Sequence, residues 1–119
     1  SVMITGIGLD VTEIEKIQSI HTRTSKFVER ILTRKEIKKF SSLTTHRQIE
    51  FLAGRFAAKE AFAKALGTGI GKNCSFQDIE ILPNTLGKPV LYFKENEVNG
   101  FVSITHTKQF AAAQVVLVE

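Results

Sequence analysis

The stretch AAKEAFAKALGTGIG, residues 57–71, places a helix-forming run directly before three glycines. Ala, Leu, Lys and Glu favour a helix, and Gly67 after Leu66 is typical of a left-handed helix cap. At about 100° per residue, Glu60 falls on one stripe with Ile49 and Phe56, and further apolar residues lie on the opposite side. A helix that is apolar on both sides is usually buried, so this segment predicts a long central helix.

Glu60 is the unexpected residue of this helix, because burying an unpaired carboxylate costs several kcal/mol. Lys64, one turn later, is a local partner, yet an exposed pair at this spacing stabilises a helix by only about 0.3–0.5 kcal/mol. Two interpretations therefore stay open. Glu60 and Lys64 form a structural ion pair, or the stripe opens onto a cleft in which a metal or another strong partner neutralises Glu60.

The remaining periodicity predicts a single α+β domain over residues 1–119, with a long central helix and shorter N-terminal helices packed on a mostly antiparallel sheet. Capping boxes are predicted at Asp10–Glu13, Thr33–Glu36 and Thr45–Gln48, and the glycines of the first strand indicate a close approach of another element. The predicted helices are 10–20, 25–32, 34–40 and 47–66, and the predicted strands are 2–10, 76–82, 90–93, 101–107 and 110–119.

Composition points to an ordinary globular protein, since 43% of the 119 residues are hydrophobic and 24% are charged. No run of about 18 apolar residues and no signal peptide is found, so we expect neither a membrane span nor a membrane partner. Cys74 is the single cysteine, which fits an inert thiol in a reducing cytoplasm. Ser1 and Val2, ahead of Met3, are interpreted as a vector-derived remnant.

Charge is concentrated in one segment. Eight Lys and Arg residues against two Glu residues give residues 21–47 a net charge of +6, whereas the whole chain carries +4. Such a segment suits an anionic partner, namely nucleic acid, acidic lipid or an acidic protein. The alternative is a solvated helix face without a partner.

Other candidate residues are ambiguous when taken singly. The loop GTGIGK, residues 67–72, could bring backbone N–H groups to a phosphate, but it lies at the wrong end of its helix and is not a Walker sequence. Asp10 is either a helix N-cap or, together with Glu60, half of an oxygen-rich Mg²⁺ site. His106 is either a hydrogen-bonded core residue or part of a site.

Several motifs in order give the chain a family resemblance. From Met3 to Val116 it resembles the bacterial holo-acyl-carrier-protein synthases, the short 4′-phosphopantetheinyl transferases of fatty acid synthesis. The motifs are GIGLDVTEI at 6–14, FLAGRFAAKEAFAKALGTGIG at 51–71, FQDIEI at 76–81, GKP at 87–89 and SITHTKQFAAAQVV at 103–116.

The resemblance implies transfer of phosphopantetheine from coenzyme A to a serine of apo-acyl-carrier protein, with adenosine 3′,5′-bisphosphate released. It implies that Asp10 and Glu60 bind Mg²⁺ as its ligands, and that Lys64 acts with them in catalysis by facing the phosphate and protonating the leaving group. The base that takes the serine proton stays open between Asp10, Glu60 and a metal-held water. The implied contacts with coenzyme A are Arg55, Lys64, Gly67, Thr68, Lys88, Pro89 and His106.

The family also implies a homotrimer with its sites between subunits, and an acidic carrier protein as partner. Arg23, Lys26 and Arg30 are spaced i, i+3 and i+7, so we expect them to share a face. Lys16 stands where family members can carry Arg, which keeps the charge but not the bidentate pairing. The implied carrier-protein docking residues are Lys16, Arg23, Lys26 and Arg30.

Two other functions are alternatives to this interpretation. A basic nucleic-acid-binding module without catalysis would use the charged segment, but only Phe27 and Phe40 lie near it as stacking partners, so we expect no nucleic acid. A coenzyme A-binding protein without catalysis would have little use for paired carboxylates beside an anion unless a metal is bound.

Overall fold

The structure is a computed structural model that describes residues 3–119, and its four helices precede most of its strands. Ser1 and Val2, interpreted as a remnant, lie outside the described residues. The α+β order is as predicted. The elements are β1 (Ile4–Glu13), α1 (Ile14–Arg23), α2 (Lys26–Ile31), α3 (Arg34–Ser41), α4 (Thr45–Leu66), a 3₁₀ turn (Phe76–Asp78), β2 (Ile79–Pro83), β3 (Pro89–Phe93), β4 (Asn96–Glu97), β5 (Gly100–His106) and β6 (Phe110–Val118).

The strands pair in antiparallel fashion, as predicted, but they divide into two three-stranded sheets, with orders β1-β6-β5 and β2-β3-β4. In the first sheet Asp10 is opposite Ala113, which in turn is opposite Ile104. Residues directly opposite one another share a face, so Asp10 at one edge of this sheet and Ile104 at the other both face α4.

Helix α4 crosses this sheet diagonally. Midway along the helix Gly54 faces Ile104 of β5, and toward its end Ala61 and Ala65 lie against β1. A Cβ atom at Gly8 would collide with the carbonyl oxygen of Ala61, and the same holds between Gly6 and Ala65. The strand glycines therefore allow the backbones of β1 and α4 to touch, as the sequence indicated.

The predicted helix ends are partly confirmed. Thr33 and Glu36 form a capping box at α3. Gly67 closes α4 at φ 92°, in the left-handed region. The predicted box at Thr45 is wrong by one residue, because the side chain of Thr44 accepts the hydrogen bond from the Arg47 backbone N–H.

The predicted N-cap at Asp10 is wrong. Strand β1 continues to Glu13, since Val11, Thr12 and Glu13 pair with β6, and α1 begins at Ile14 without a side-chain cap. The strand predicted from Phe76 is also shortened. Because Ser75 and Asp78 cap a 3₁₀ turn, extended structure starts at Ile79.

Within residues 3–119, no helix combines the length and the apolar character needed to cross a membrane.

Candidate functional site

Asp10, Glu60 and Lys64 come together where the end of α4 lies against β1; we call this group the carboxylate cluster. The Nζ atom of Lys64 donates to Asp10 Oδ1 at 3.2 Å and to the carbonyl oxygen of Leu9 at 3.0 Å. The hydroxyl of Thr12 donates to Asp10 Oδ2 at 2.8 Å. The Asp10 carboxylate is therefore held by two donors, with its side chain 13% exposed.

Glu60 is half-buried beside Asp10, and among residues 3–119 no basic group lies within salt-bridge distance of its carboxylate. Burial raises the pKa of Glu60, the charge of Asp10 raises it further, and Lys64 offsets part of the increase. The interpretation of Glu60 and Lys64 as an ion pair is wrong, because Lys64 turns to Asp10 and Leu9 instead. Among residues 3–119, the Glu60 carboxylate forms neither of the ion pairs that hold Asp10 and Glu36.

The carboxylate cluster has the chemistry of a site for a hard cation. Asp10 and Glu60 supply oxygen ligands, and the described chain offers no group of three His, Cys, Asp or Glu side chains as an all-protein metal cage. Mg²⁺ commonly takes one or two carboxylates and completes its shell with water and phosphate oxygens. The residues present therefore fit Mg²⁺ bound together with a phosphorylated ligand.

A second site lies at the β5 edge of the same sheet, in a cavity of about 290 Å³; we call it the basic pocket. Three of the predicted coenzyme A contacts line it. The residues missed by the sequence interpretation are Lys39, Arg47 and Glu50, whose spacing on two different helices gave no signal of convergence. The lining is Lys39, Leu43, Arg47, Glu50, Phe51, Gly54, Arg55, Pro83, Gly87, Pro89, Ile104 and His106.

Arg55 is the basic residue that its neighbours hold most firmly in the basic pocket. Its guanidinium lies 4.4 Å from the centre of the Phe51 ring, and its Nε atom is buried without a hydrogen-bond partner among the described residues. Burial lowers the pKa of Arg55, and Glu36 offsets part of that decrease. His106 Nε2 lies 3.3 Å from a carboxylate oxygen of Glu50. An anion in the pocket would supply Arg55 with an acceptor.

The other predicted contacts lie outside the basic pocket. Lys88 stands at its rim, with Nζ 5.4 Å from the centre of the Phe101 ring. Gly67 and Thr68 are exposed beyond the end of α4, close in sequence to Lys64, and the Thr68 hydroxyl donates to the carbonyl of Gly69 at 2.9 Å. Within one chain, the predicted contacts thus fall into two groups. A larger cavity of about 790 Å³ beside β2 and β3 contains none of them.

The predicted docking residues are all exposed, but they do not share one helix. Helix α1 ends at Arg23, Thr24 is extended, and α2 begins at Lys26. The spacing of Arg23, Lys26 and Arg30 therefore does not place all three on one helix, because the helix is interrupted between Arg23 and Lys26. Lys26 and Arg30 lie one turn apart on α2, and a docking face shared by all three stays a prediction.

Sequence interpretation also missed Lys59, the residue before Glu60. Its side chain is fully buried, and Nζ donates to Glu36 Oε1 at 2.6 Å. A signal was present, because Lys59 shares a helical stripe with Leu52, Phe56 and Ala63. Burial lowers the pKa of Lys59, and Glu36 offsets part of that decrease. Cys74 is buried too, and burial raises the pKa of its thiol.

The fold and the carboxylate cluster define an α+β protein with a candidate site for a hard cation. Comparison with known proteins identifies its family. The chain belongs to the 4′-phosphopantetheinyl transferase superfamily, whose family model matches residues 6–116.

Several relatives within that superfamily carry the same name, holo-[acyl-carrier-protein] synthase. The chain is 57% identical over 116 residues to the holo-[acyl-carrier-protein] synthase of Bacillus subtilis, covering 97% of this chain and 96% of the relative. A holo-(acyl-carrier-protein) synthase from Bacillus anthracis, solved in complex with CoA (3′,5′-ADP), superposes with a TM-score of 0.87 at 49% identity over 98% of both chains. The Helicobacter pylori synthase, in complex with coenzyme A, gives 0.81 at 34% identity over 95% and 99% of the two chains.

Proposed function

We propose that this protein is a holo-acyl-carrier-protein synthase. It transfers the 4′-phosphopantetheine group of coenzyme A to a serine of apo-acyl-carrier protein and releases adenosine 3′,5′-bisphosphate. The observation that carries the proposal is the carboxylate cluster, in which Asp10, Glu60 and Lys64 meet beside one another. Relatives that share 57% and 49% of their residues with this chain bear the same name.

Asp10 and Glu60 would hold the Mg²⁺ ion of the reaction. When bound, the ion neutralises charge on the coenzyme A pyrophosphate. The chain's own contribution is to keep the two carboxylates side by side at the β1–α4 contact, where the charge of Asp10 raises the pKa of Glu60. A cation at this position removes that repulsion.

The other residues bind substrate and move protons. The serine hydroxyl forms a bond to the β-phosphorus while the bond from that phosphorus to the bridging oxygen breaks. The side chain of Lys64 is 54% exposed and lies beside Asp10. Lys64 is therefore placed to protonate the departing phosphate. Glu60, whose pKa is raised, is a candidate for the serine proton. Arg55 and His106 of the basic pocket suit the other phosphate groups of coenzyme A.

The two groups of contacts support a site that lies between subunits of a homotrimer. The carboxylate cluster is at the β1 edge, and the basic pocket is at the β5 edge. The sheet face turned away from α4 is apolar and exposed, with Ile7, Leu9 and Val11 at 59%, 57% and 60%. An exposed apolar patch of this kind marks an interface. Sedimentation should give about three times the 13.2 kDa chain mass, and a monomer would contradict the trimer.

Carrier-protein docking is assigned to Lys16, Arg23, Lys26 and Arg30, because all four are exposed on α1 and α2 and the carrier protein is acidic. Charge reversal at Arg23 and Lys26 should raise KM for the carrier protein, while KM for coenzyme A stays constant. Unchanged carrier-protein kinetics would contradict the docking surface.

Mass spectrometry tests the reaction itself. Apo-acyl-carrier protein is incubated with this protein, coenzyme A and Mg²⁺, with EDTA as the control. A mass increase of one phosphopantetheine that EDTA abolishes is the expected result. An unchanged carrier mass, together with a salt-dependent shift of DNA or RNA, would favour the nucleic-acid-binding alternative. The cytoplasmic location, and the absence of nucleic-acid and membrane partners, stay predictions.

A further inference from the structure

Helix α2 is too short to be stable by itself. It has six residues, Lys26–Ile31, and its N-cap Ser25 makes no side-chain capping bond. Helices of this length are marginal in water, because nucleation is costly and few backbone bonds follow. The chain leaves α2 at Leu32 in an extended conformation, so the last carbonyl groups of the helix need hydrogen-bond donors from elsewhere in the molecule.

Gln77 supplies most of these partners from the 3₁₀ turn. Its Nε2 atom donates to the carbonyl oxygens of Glu29 at 2.6 Å and Leu32 at 2.8 Å, and the carbonyl of Arg30 lies 3.4 Å away. The Gln77 side chain is exposed, so water could satisfy the amide equally well. Its contacts with three carbonyl groups at the end of α2 therefore stabilise that end of the helix rather than the amide itself.

Lys59 takes the remaining carbonyl of the last turn. Its Nζ atom donates to the carbonyl oxygen of Ile31 at 2.6 Å, in addition to its bonds to Glu36 and to the carbonyl oxygen of Phe76 at 3.1 Å. A cation at the C-terminal end of a helix is also electrostatically favourable. Lys59 has no exposed surface, so it contacts no substrate.

The exposed side of the same short helix carries Lys26 and Arg30, while Phe27, Val28 and Ile31 are buried beneath it. Burial fixes where α2 lies, and the capped carbonyl groups fix how its last turn, with Arg30, is wound. We propose that Gln77 and Lys59 are positioning residues for carrier-protein docking, acting by capping α2. This inference rests on the proposed docking surface.

The arrangement also ties docking to the chemistry. Lys59 and Glu60 are neighbours on α4, so one helix carries both a cap of the docking helix and a member of the carboxylate cluster. The position of the docked carrier relative to Glu60 is therefore set through a single rigid element. Gln77 is the better residue to test, since its replacement leaves the buried ion pair of Lys59 and Glu36 intact.

Gln77→Met removes both amide donors and keeps the length of the side chain. The two lost hydrogen bonds, at about 0.5 kcal/mol each for an exposed amide, correspond to about 1 kcal/mol, which converts to a rise of roughly fivefold in KM for the carrier protein. The expected kcat at saturating carrier and KM for coenzyme A are those of the parent protein. Gln48→Met is the matched control, because the Gln48 amide caps the carbonyl of Phe40 on α3 at 3.0 Å and α3 carries no docking residue. It should leave the carrier KM unchanged.

Arg30→Ala separates this inference from the docking proposal on which it rests. A raised carrier KM for Arg30→Ala and Gln77→Met, with little further increase in the double variant, is the expected result. The proposed route through α2 is overturned if the two substitutions raise the carrier KM additively in the double variant. It is also overturned if the kinetics toward coenzyme A deteriorate as much as those toward the carrier protein. An unchanged KM for Gln77→Met beside a raised KM for Arg30→Ala overturns the inference alone. An unchanged KM for Arg30→Ala overturns the docking contact and, with it, the inference.

Discussion

Helix α4 carries two lysines that each meet a carboxylate from another element, and the protein satisfies their charges to different degrees. Lys59 and Glu36 are both 0% exposed and lie 2.6 Å apart. All three N–H groups of Lys59 have protein acceptors. Lys64 is 54% exposed and lies 3.2 Å from Asp10, while nearby Glu60 has no basic group within salt-bridge distance among residues 3–119. The first pair is complete and stabilises the fold, whereas the carboxylate cluster keeps capacity for a ligand.

The largest expected effect is on stability, at the complete pair. Lys59→Met should lower the free energy of unfolding by about 3–5 kcal/mol, because it leaves Glu36 buried without a counter-charge. Urea denaturation measures the change. The double variant Glu36→Gln/Lys59→Met should recover part of the loss, since an amide oxygen remains for the Ile81 backbone N–H while the capping bond from the Thr33 backbone N–H is lost. A double variant no more stable than the single one would show that the charge is not the cause.

The second effect is on activity, at the incomplete cluster. Glu60→Gln and Asp10→Asn should each lower the rate of transfer by about a hundredfold or more, which corresponds to at least about 2.7 kcal/mol of transition-state stabilisation. The stability of Glu60→Gln should stay the same or rise, because the repulsion between the two carboxylates is removed, whereas in Asp10→Asn the loss of the ion pair with Lys64 offsets that gain. Steady-state kinetics and urea denaturation of the same samples test both. If Glu60→Gln unfolds, Glu60 has a structural role like that of the pair of Lys59 and Glu36.

The third effect is a pH dependence that originates in Glu60. Its pKa is raised mainly by burial and then by Asp10, so its contribution to stability is fully present below about pH 4, the usual glutamate range, and is lost as pH rises through the raised pKa. The parent protein should therefore lose stability relative to Glu60→Gln between acid and neutral pH. Mg²⁺ should reverse that loss at neutral pH.

Thermal unfolding at a series of pH values, with and without Mg²⁺, measures this difference. Parallel curves for the parent protein and Glu60→Gln would contradict the raised pKa. Equal Mg²⁺ stabilisation of both proteins would place the ion away from Glu60.

The smallest effect on stability is expected at Lys64. Lys64→Met removes a half-exposed charge and should change the free energy of unfolding by less than about 1 kcal/mol, while transfer slows about tenfold through the loss of one charge near the phosphate. The control is Lys35→Met, which replaces an exposed lysine of α3. It should change neither the free energy of unfolding nor the rate of transfer. A stability loss at Lys64 as large as that at Lys59 would remove the distinction between the two pairs.

Local sequence signals predicted the elements that local interactions determine. The capping box of Thr33 and Glu36, the glycine cap at Gly67 and the apolar helix α4 all depend on residues a few positions apart. The prediction at Asp10 failed because strand pairing with β6, about 100 residues away in sequence, keeps residues 11–13 extended. A capping pattern cannot reveal such a long-range partner.

The candidate site was predictable in the same uneven way. The family resemblance identified Asp10, Glu60 and Lys64 as a group, and the structure brings them together. It gave no indication that Lys64 pairs with Asp10 instead of Glu60. The burial of Lys59 was visible on the helical wheel, but its acceptors lie on three separate segments, namely α2, α3 and the 3₁₀ turn. The convergence of Arg47 and Arg55 with His106 likewise depends on how α4 crosses the sheet.

The contact of β1 with α4 through Gly6 and Gly8 has a thermodynamic consequence. The two backbones are in direct contact there, so no flexible side chain between β1 and α4 allows them to move relative to each other. The separation between Asp10 on β1 and Glu60 on α4 is therefore fixed when the chain folds. The conformational entropy of bringing two like charges together is lost once, during folding, and binding of the cation and coenzyme A need not lose it again.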